Sequence, residues 1–457
     1  MKDRFGCDWS STVGTQFWQR PQIGRRMFFR HAASAVGGYF LMPSRPAETI
    51  ARAAPALKAT AQNCIFILMA GGPSQIDTFD LKEGSWTPSQ LAPTSYGSLR
   101  FPQGLLPALA NQIDSLAFVR SMKAWANVHG LAQTWVQIGR NPTSGSSKIA
   151  PHIGSVVSLE LNARAPEAKR TLPAFVAFNA GFGVGAGYLP PENAPFYSSP
   201  GGGGLTNSTH RDGAARFESR YNLLLKMDAE NRASSDFGPA FPESAAYNAG
   251  ARRLVYNSDV DKIFLFDQAE RLRYGNSGFG NACITARNLL KAKIGTRFIQ
   301  INIGNWDHHE DIYLPTGGHM TISKQFDSGL GTLIADLRTD GLLDETLIVA
   351  MGEFGRVPGV VNPGKGRDHY LNQAALFAGA GIRGGRAVGV TDRDGRNVTE
   401  TGWSRNREIR NEDVEATIYS ALGIDYTTVR RDDPLGRGFE YVPSAGEIYG
   451  PIDELWG

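Results

Sequence analysis

The sequence predicts an α/β fold in which a mostly parallel central sheet carries helices on both faces. The segments "NCIFILMAGG" at 63–72 and "ETLIVAMG" at 345–352 are continuous apolar runs without alternation, which is typical of strands buried on both sides. Between 297 and 351 a strand, an amphipathic helix and a second strand follow one another. This order is the pattern of a parallel βαβ unit.

The first half of the chain supplies three of the expected strands and a long excursion. After the strand at 63–69, a short helix leads into a second buried strand near 116–120, and "TLPAFVAFN" predicts a third near 173–178. Residues 180–250 are rich in Gly, Pro, Ser and Asn and contain one polar helix near 212–230. We expect this stretch to run over the surface of the sheet.

The second half is more regular. It predicts helices around 259–273 and 281–293, a strand in "TRFIQINIG" at 296–304, and a helix that ends at "TDG", residues 339–341. Apolar residues at helical spacing define that last helix: Ile322, Phe326, Leu330, Leu333, Ile334 and Leu337. Further strands are expected in "QAALFAGAGI" and "RAVGV", and a C-terminal helix is expected in "NEDVEATIYSALGI", with Asn411 or Asp413 near its N-cap.

The composition excludes several classes of protein. The chain has 457 residues, 41% hydrophobic and 20% charged, which is ordinary for a globular protein and long enough for two or three domains or one large unit. The cysteines, Cys7, Cys64 and Cys283, are too far apart for a thiolate zinc site and argue against a disulfide framework. No apolar run reaches the length of a membrane span.

The N-terminus resembles a twin-arginine export leader. Arg25 and Arg26 precede Phe28 and Phe29, and a short Ala- and Gly-rich apolar segment follows. We expect residues 1–55 to be a removed leader and residues 56–457 to form the domain, which would be periplasmic or extracellular. The alternative is a disordered basic tail. Residues 1–55 carry eight Lys or Arg and three Asp or Glu, so the remainder is near −2 and nothing indicates a nucleic-acid partner.

Acidic and imidazole side chains follow the last two strands of the βαβ unit. "NWDHHED" at 305–311 and "GRDHY" at 366–370 place Asp307, His309, Asp368 and His369 in these loops. The carboxyl ends of parallel strands meet at one sheet edge, so both loops can contribute to one site. We predict a divalent metal there, with zinc, calcium and manganese all open. Alternatively, Asp307 caps a turn and His309 is a solvated loop residue.

Two arginines and the loop after the first strand supply candidates for substrate binding. Arg356 and Arg367 could hold an anionic group through a bidentate fork, or they could pair with carboxylates such as Glu353. In "GGPSQIDTFDLK" at 71–82, Gly72 would allow a ligand to approach the backbone and Ser74 is a possible nucleophile. The alternative for the acidic residues of this loop is turn formation and capping.

Three stretches, "FILMAGGPSQIDTFDLK", "NWDHHED" and "MGEFGRVP…GRDHY", resemble the bacterial family called domain of unknown function 1501. The resemblance extends in order through "RSMKAWANVHGLAQTWVQIGR", "YGNSGFGNACITARNLLKA" and "EATIYSALGID". That family is grouped with the sulfatases and alkaline phosphatases. The resemblance therefore implies an alkaline-phosphatase-like three-layer sandwich and chemistry on sulfate or phosphate esters.

The resemblance also implies roles for particular residues. In catalytic members of that superfamily a hydroxyl or formylglycine nucleophile begins a helix about ten residues before the glycine of a "TGR"-like turn, and here that position is His129, ahead of Gly139. Asp307, His309 and His369 resemble one of the superfamily's metal sites. The ligands of the other site are replaced by Ala70-Gly71-Gly72 and by Glu353-Phe354, which departs from the pattern.

Two functions follow as hypotheses. The first is an exported metal-dependent hydrolase of small-molecule or polysaccharide esters. In it, Asp307, His309, Asp368 and His369 hold the metal, His129 or Glu353 moves protons, and Arg356, Arg367, Ser74 and Gly72 surround the substrate. The second is a metal- or anion-binding protein on the same scaffold without turnover, because the hydroxyl nucleophile is missing.

Overall fold

The structure is a computed structural model that describes residues 55–145, 147–162, 164, 170–181, 185–233 and 248–457. The chain divides into two compact units, residues 1–54 and residues 55–457. The first unit, which holds almost all of the expected leader, lies outside the described residues. Everything that follows concerns the second unit.

Eight strands form one central sheet in the spatial order β12-β4-β11-β8-β1-β7-β5-β6. All of them run parallel except β11, which is antiparallel to both of its neighbours. Their bounds are β1 Asn63–Met69, β4 Leu116–Lys123, β5 Phe175–Phe178, β6 Phe196–Ser198, β7 Phe298–Ile303, β8 Thr346–Met351, β11 Asn372–Ala378 and β12 Arg386–Val388.

Short antiparallel strand pairs lie in the loops around this sheet. They are β2 Pro93–Tyr96 with β3 Leu99–Pro102, β9 Gly355–Arg356 with β10 His369–Tyr370, β13 Val390–Thr391 with β14 Val398–Glu400, and β15 Val429–Arg430 with β16 Phe439–Glu440. The pair β9–β10 matters for the site, because it folds the loop after β8 back over the end of the sheet.

Helices cover both faces of the sheet. Their bounds are α1 Pro107–Ala110, α2 His129–Ile138, α3 Ile153–Asn162, α4 Ala214–Ala233, α5 Ser258–Phe264, α6 Gln268–Arg273, α7 Gly278–Ala292, α8 Gly318–Thr339 and α9 Asn411–Ala421, and a further helical turn occupies 248–254. Helices α1, α5, α7 and α8 share one apolar cluster with the sheet, whereas α2, α3 and α9 share the other. The architecture is therefore a three-layer sandwich, as predicted.

The alternation of β1 shows why its sequence is apolar throughout. Ile65, Ile67 and Met69 pack into the cluster on one face, and Cys64, Phe66 and Leu68 pack into the cluster on the other. Successive side chains of a strand point to opposite faces, so a strand covered on both sides needs apolar residues at every position. All seven residues of β1 are buried.

Three details differ from what the sequence suggested. The strands β7 and β8 are parallel but not adjacent, because β1 lies between them and pairs with both. The strand predicted in "QAALFAGAGI" is β11, and it runs against the rest of the sheet. The helix predicted at 259–273 is two helices, because Leu265 is extended and Asp267 caps α6 by accepting from the N–H of Glu270.

Three other features of the sequence can be compared with the structure. The excursion contains the polar helix α4, most of which is exposed to solvent. Cys64 and Cys283 are free and fully buried, consistent with small apolar side chains that fill the core. In the described part of the chain, none of the helices combines the length and the apolar character that a membrane span requires.

Candidate metal centre

Three chain segments meet at the carboxyl edge of the sheet. Asp307 lies four residues after β7, and His129 is the first residue of α2, which follows β4. His369 opens β10 and pairs with Arg356 of β9 in the loop after β8. Since β4, β7 and β8 run in the same direction, their carboxyl ends share one edge, and side chains far apart in sequence converge there.

The side chains of His129, Asp307 and His369 form a compact group. One donor atom from each lies within 4.8 Å of the other two. Nε2 of His129 is 3.2 Å from Oδ2 of Asp307, and Nε2 of His369 is 3.3 Å from Oδ1. His309 joins from the same loop as Asp307, with its Nε2 2.9 Å from Oδ1 of Asp307 and 3.1 Å from Nε2 of His369. The sequence prediction that Asp307, His309 and His369 lie together is met.

Each of the three imidazoles has an oxygen acceptor on its outer nitrogen, Nδ1. The pairs are His129 with Glu353 Oε1 at 2.7 Å, His309 with Asp368 Oδ1 at 2.8 Å, and His369 with the carbonyl of Asn127 at 2.8 Å. An Nδ1–H that donates outward leaves the Nε2 lone pair directed into the group. Histidines that ligate metals are held in this way by partners behind them.

The donor set fits a divalent transition metal. Around a tetrahedral ion with bonds of roughly 2.0–2.1 Å, ligand atoms lie about 3.3 Å apart. The three imidazole nitrogens lie 2.9 to 3.3 Å from the Asp307 oxygens, and the donor atoms of His129, Asp307 and His369 all lie within 4.8 Å of one another. Nε2 of His129 is buried and makes no aligned hydrogen bond, although the Asp307 carboxylate is close. Imidazole nitrogens suit zinc or manganese better than calcium, which takes oxygen ligands.

Asp307 is prepared to act as an anionic ligand. Partial burial alone raises the pKa of its carboxyl, but the hydrogen bond and charge of Arg356, together with His129 and His369, outweigh this and hold the pKa well below the usual range. Its side chain keeps 43% of its surface accessible. The carboxylate is therefore ionised under all physiological conditions and can be reached from solvent.

Glu353 is a fully buried carboxylate beneath His129. Its side chain is 0% exposed, and its oxygens accept from His129, from the side-chain amide of Gln133 at 2.9 Å, and from the N–H of Gly71 at 2.9 and 3.2 Å. Gly71 has φ +113°, and a Cβ there would lie 2.7 Å from the backbone nitrogen of Asp307. The glycine thus allows the loop after β1 to pack between the loop that contains Asp307 and the loop that contains Glu353.

Arg356 is not available to a substrate anion, contrary to one of the sequence predictions. It is 1% exposed, and its guanidinium donates to Oδ1 of Asp307 at 2.6 Å and to the carbonyls of Gly71, Gly72 at 2.8 Å, and Arg367 at 3.0 Å. Gly72 has φ +69°, and a Cβ there would lie 2.9 Å from Phe354, so the close approach predicted for a ligand is made by Phe354. Of the two interpretations of this arginine, pairing with a carboxylate is correct, but the partner is Asp307.

Arg367 and Ser74 also face the interior. Arg367 donates from Nε to Oδ2 of Asp77 at 3.0 Å and from Nη2 to the hydroxyl of Tyr313 at 2.8 Å, and both charged side chains are almost wholly buried. Ser74 donates to Oδ2 of Asp77 at 2.5 Å. These groups form a structural network next to the site, so the expectation that Arg367 and Ser74 contact substrate is not supported.

The remaining predicted site residues take different positions. Asp368 lies behind His309, on its outer nitrogen, and the hydrogen bond from His309 lowers the pKa of its exposed carboxyl. The structure adds two residues that the sequence analysis missed. Gln133 is one helical turn after His129, and this i, i+4 spacing could have identified it. Asn127 acts through its carbonyl, so its side chain gives no indication.

Three other histidines do not join the group. His152 and His319 are buried in the core, and desolvation lowers their pKa to about 3 and about 4, so both are neutral. His308 lies between Asp307 and His309 in sequence, but its ring packs against Gly318 and burial lowers its pKa. His308 therefore offers a neighbouring histidine that contributes no donor atom to the group.

A cleft of ≈ 470 Å³ runs along the exposed side of α2, beginning next to His129. Among the described residues, its lining side chains are the amides and hydroxyls of Gln133, Thr134, Gln137 and Ser147, the cation of Lys148, and the apolar Ile138 and Ala150. Glycine backbone at 130, 185 and 187 completes the wall. Such a surface is suited to hydrogen bonding with a hydroxyl-rich molecule.

Several solved structures show some similarity to this chain. They include the phosphonate monoester hydrolase SpPMH from Silicibacter pomeroyi, with 11% identity, coverage of 87% of this chain and 77% of that one, and a TM-score of 0.40. The PsFucS1 sulfatase from Pseudoalteromonas sp. has 12% identity, coverage of 86% and 71%, and a TM-score of 0.39. A protein in the alkaline phosphatase superfamily from Vibrio parahaemolyticus has 13% identity, coverage of 81% and 70%, and a TM-score of 0.36.

Similarities at this level do not carry an activity from those proteins to this one. No curated protein sequence matches the chain. The sequence profile described as "Protein of unknown function (DUF1501)" matches residues 61–447. Because this match spans most of the chain, the protein belongs to the DUF1501 family.

Proposed function

We propose that this protein is an exported, metal-dependent hydrolase of sulfate or phosphate esters with a single metal ion. One observation carries the proposal: the Nε2 atoms of His129, His309 and His369 converge on Asp307 while each outer nitrogen is held by an oxygen acceptor. Holding three imidazoles in this way has no evident use in packing the core, and it is the arrangement that metal ligation requires.

The proposal assigns the ion to His129, Asp307 and His369, whose donor atoms all lie within 4.8 Å of one another. Catalytic metal sites keep one position open, and three protein ligands leave such a position. A divalent ion bound there would polarise an ester oxygen and make an attacking water more acidic. Glu353 and the carbonyl of Asn127 orient the two ligating imidazoles through their Nδ1 atoms.

His309 is then the group that moves a proton. Its side chain is 42% exposed, lies next to Asp307, and has Asp368 on its outer nitrogen. A carboxylate behind an imidazole fixes its tautomer and stabilises its protonated form. His309 can accept a proton from the attacking water at Nε2 and return it to the alcohol that leaves. The roles of His129 and His309 are thus the reverse of those proposed from the sequence.

The reaction would proceed without a covalent enzyme intermediate. His129 occupies the position at the start of α2 where a hydroxyl would be needed, and the hydroxyl of Ser74 is bonded to Asp77 inside the protein. Water would attack phosphorus or sulfur directly, forming the new bond as the ester oxygen leaves and takes a proton. Hydrolysis in ¹⁸O water with a phosphorus centre made chiral by isotopes should therefore give inversion.

The substrate class follows from the cleft along α2. The two buried arginines cannot neutralise an anion, whereas the cleft offers amides, hydroxyls and Lys148. We propose that the ester group is bound at the metal and that a hydroxyl-bearing part of the substrate, as in a sugar, lies along α2. Esters of sugars should therefore be better substrates than esters of simple aryl alcohols.

A second function is favoured by one specific contact. His309 lies as close to Asp307 and His369 as a fourth ligand would. If His309 binds the ion, four protein ligands close the coordination sphere, and closed spheres are typical of structural sites. The protein would then be a metal-binding protein without turnover.

Two alanine variants distinguish these functions. Protein purified after export is analysed for metal and assayed on sulfate and phosphate esters of sugars and aryl alcohols. We expect one ion per chain, loss of the ion in His369→Ala, and retention of the ion with loss of hydrolysis in His309→Ala. His308→Ala serves as the matched control and should change neither quantity. Wild-type protein without an ion would overturn the proposal, and loss of the ion in His309→Ala would favour the binding protein.

Export is part of the proposal and rests on the sequence of residues 1–55. We expect the wild-type protein in the periplasm or medium to lack this segment by mass spectrometry. Replacing both Arg25 and Arg26 by Lys should leave the full-length precursor in the cytoplasm. Normal export of that variant would contradict the twin-arginine assignment.

A further inference from the structure

Arg356 sits in a cage of oxygen atoms directly beside the metal centre. Its Nη2 donates to Oδ1 of Asp307 at 2.6 Å and to the carbonyl of Gly71, and it lies 3.4 Å from the carbonyl of Trp306. Its Nε and Nη1 donate to the carbonyls of Gly72 and Arg367. Five oxygens from three separate chain segments thus surround one buried positive charge.

We propose that Arg356 is a built-in second cation of this centre, and that it occupies a latent site for a hard divalent ion such as Ca²⁺. The proposal rests on the metal centre described above. It states that the protein binds a single metal ion because the guanidinium fills the second cation position. It also states that a small neutral residue at position 356 would open that position.

The charges around the centre balance with one divalent ion. Among the described residues, the carboxylates that contact the three histidines are Asp307, Glu353 and Asp368. Their three negative charges equal the charge of one divalent ion plus the Arg356 guanidinium. The neighbouring pair of Asp77 and Arg367 is neutral by itself. A second divalent ion beside an intact Arg356 would leave two positive charges uncompensated in a partly buried site, which is costly.

The oxygen cage has the chemistry that calcium takes. Ca²⁺ binds six to eight oxygens from carboxylates, backbone carbonyls and water, and it tolerates irregular geometry. Three of the oxygens, from Gly71, Trp306 and Asp307, already surround the single atom Nη2. The carboxylate of Asp307 lies between Arg356 and the histidines, because Oδ1 faces Arg356, His309 and His369 and Oδ2 faces His129.

Two substitutions at this position separate charge from space. Arg356→Ala removes the charge and leaves a polar cavity, which can take up water and an ion. Arg356→Met also removes the charge, but its side chain fills much of the same volume and brings no ligand for a hard cation. The two variants should therefore differ in ion content although both have lost the guanidinium.

The experiment uses the full exported chain of wild type and both variants, dialysed against about 1 mM CaCl₂ and analysed for all metals. We expect wild type to contain one transition-metal ion and no calcium, and Arg356→Ala to contain one ion of each kind. Arg356→Met should contain no calcium. Calcium should raise the thermal unfolding midpoint of Arg356→Ala but not that of wild type.

The outcomes separate this inference from the proposed function. Arg356→Ala that keeps its transition metal but binds no calcium would overturn the inference and leave the proposed function intact. Wild type without any ion would overturn the proposed function itself. If Arg356→Ala fails to fold, titration of wild type with excess metal still decides the matter, because specific binding of a second ion per chain would refute the claim that Arg356 fills that position.

Discussion

Replacing Glu353 by Gln tests whether the buried carboxylate holds His129 in place for a metal. Gln has nearly the same shape, but only one of its terminal atoms accepts hydrogen bonds, whereas Glu353 accepts from His129, Gln133 and Gly71. Because Oε1 accepts from all three donors, the amide nitrogen of Gln would take the place of Oε2, where its own buried N–H groups face the N–H of Gly71. The Gly71 N–H, at 2.9 and 3.2 Å, is the donor that cannot move away, because it belongs to the buried backbone.

The size of the expected loss in metal affinity follows from the burial of Glu353. Leaving one buried donor unpaired costs about 1–3 kcal/mol, and changing a partner behind a metal ligand costs ~10–100-fold in metal affinity, which is about 1.4–2.7 kcal/mol. We therefore expect Glu353→Gln to bind the ion ~10–100-fold more weakly. Competition with a chelator of known affinity measures this change, and circular dichroism checks that the variant is folded.

Asp368→Asn is the matched comparison. It makes the same chemical change behind His309, but its side chain is 60% exposed, where water can replace a lost hydrogen bond. Its effect on metal affinity should be no more than a few-fold. If Glu353→Gln is folded and binds the ion as tightly as wild type, or if Asp368→Asn has the larger effect, then Glu353 does not position a ligand and the interpretation of the site is wrong.

Three further predictions concern the surroundings of the site. Gly71→Ala should destabilise the protein by at least ~1–3 kcal/mol and reduce its metal content, since φ is +113° and a Cβ would meet the backbone of Asp307; a normal denaturation midpoint would contradict this. Arg367→Met should lower the free energy of unfolding by about 3–5 kcal/mol, because it leaves the buried Asp77 carboxylate without its charged partner. The folded fraction should keep its ion, and loss of the ion from that fraction would show that Arg367 does more than support the fold. Burial raises the pKa of Asp327 to about 6, and the N–H groups of Leu109 and Ala108 offset this only in part, so the folded state holds the proton more tightly than the unfolded chain. Protonated Asp327 therefore stabilises the fold below about pH 4, and ~3 kcal/mol of unfolding free energy is lost as the pH rises to about 6. The unfolding free energy of Asp327→Asn should change less with pH over this range than that of wild type.

The local sequence was sufficient for most of the elements and for the convergence of three site residues. Continuous apolar runs predicted β1, β7 and β8, because a strand buried on both faces needs apolar residues throughout. Helical spacing of apolar residues predicted α8, because a helix is buried along one side. The positions of Asp307, His309 and His369 after strand ends predicted their convergence, since parallel strands end at a common edge.

The sequence could not determine which partners the side chains from distant segments contact. That β1 lies between β7 and β8 depends on long-range pairing, which leaves no local pattern. The sequence also did not show that Arg356, Arg367 and Ser74 point inward. The same local sequence allows a polar residue after a strand to face either solvent or an internal partner. Residue types and their order determined which chemistry this protein could hold, and only the packing of the three loops decided which of those groups face the proposed metal position and which support them from behind.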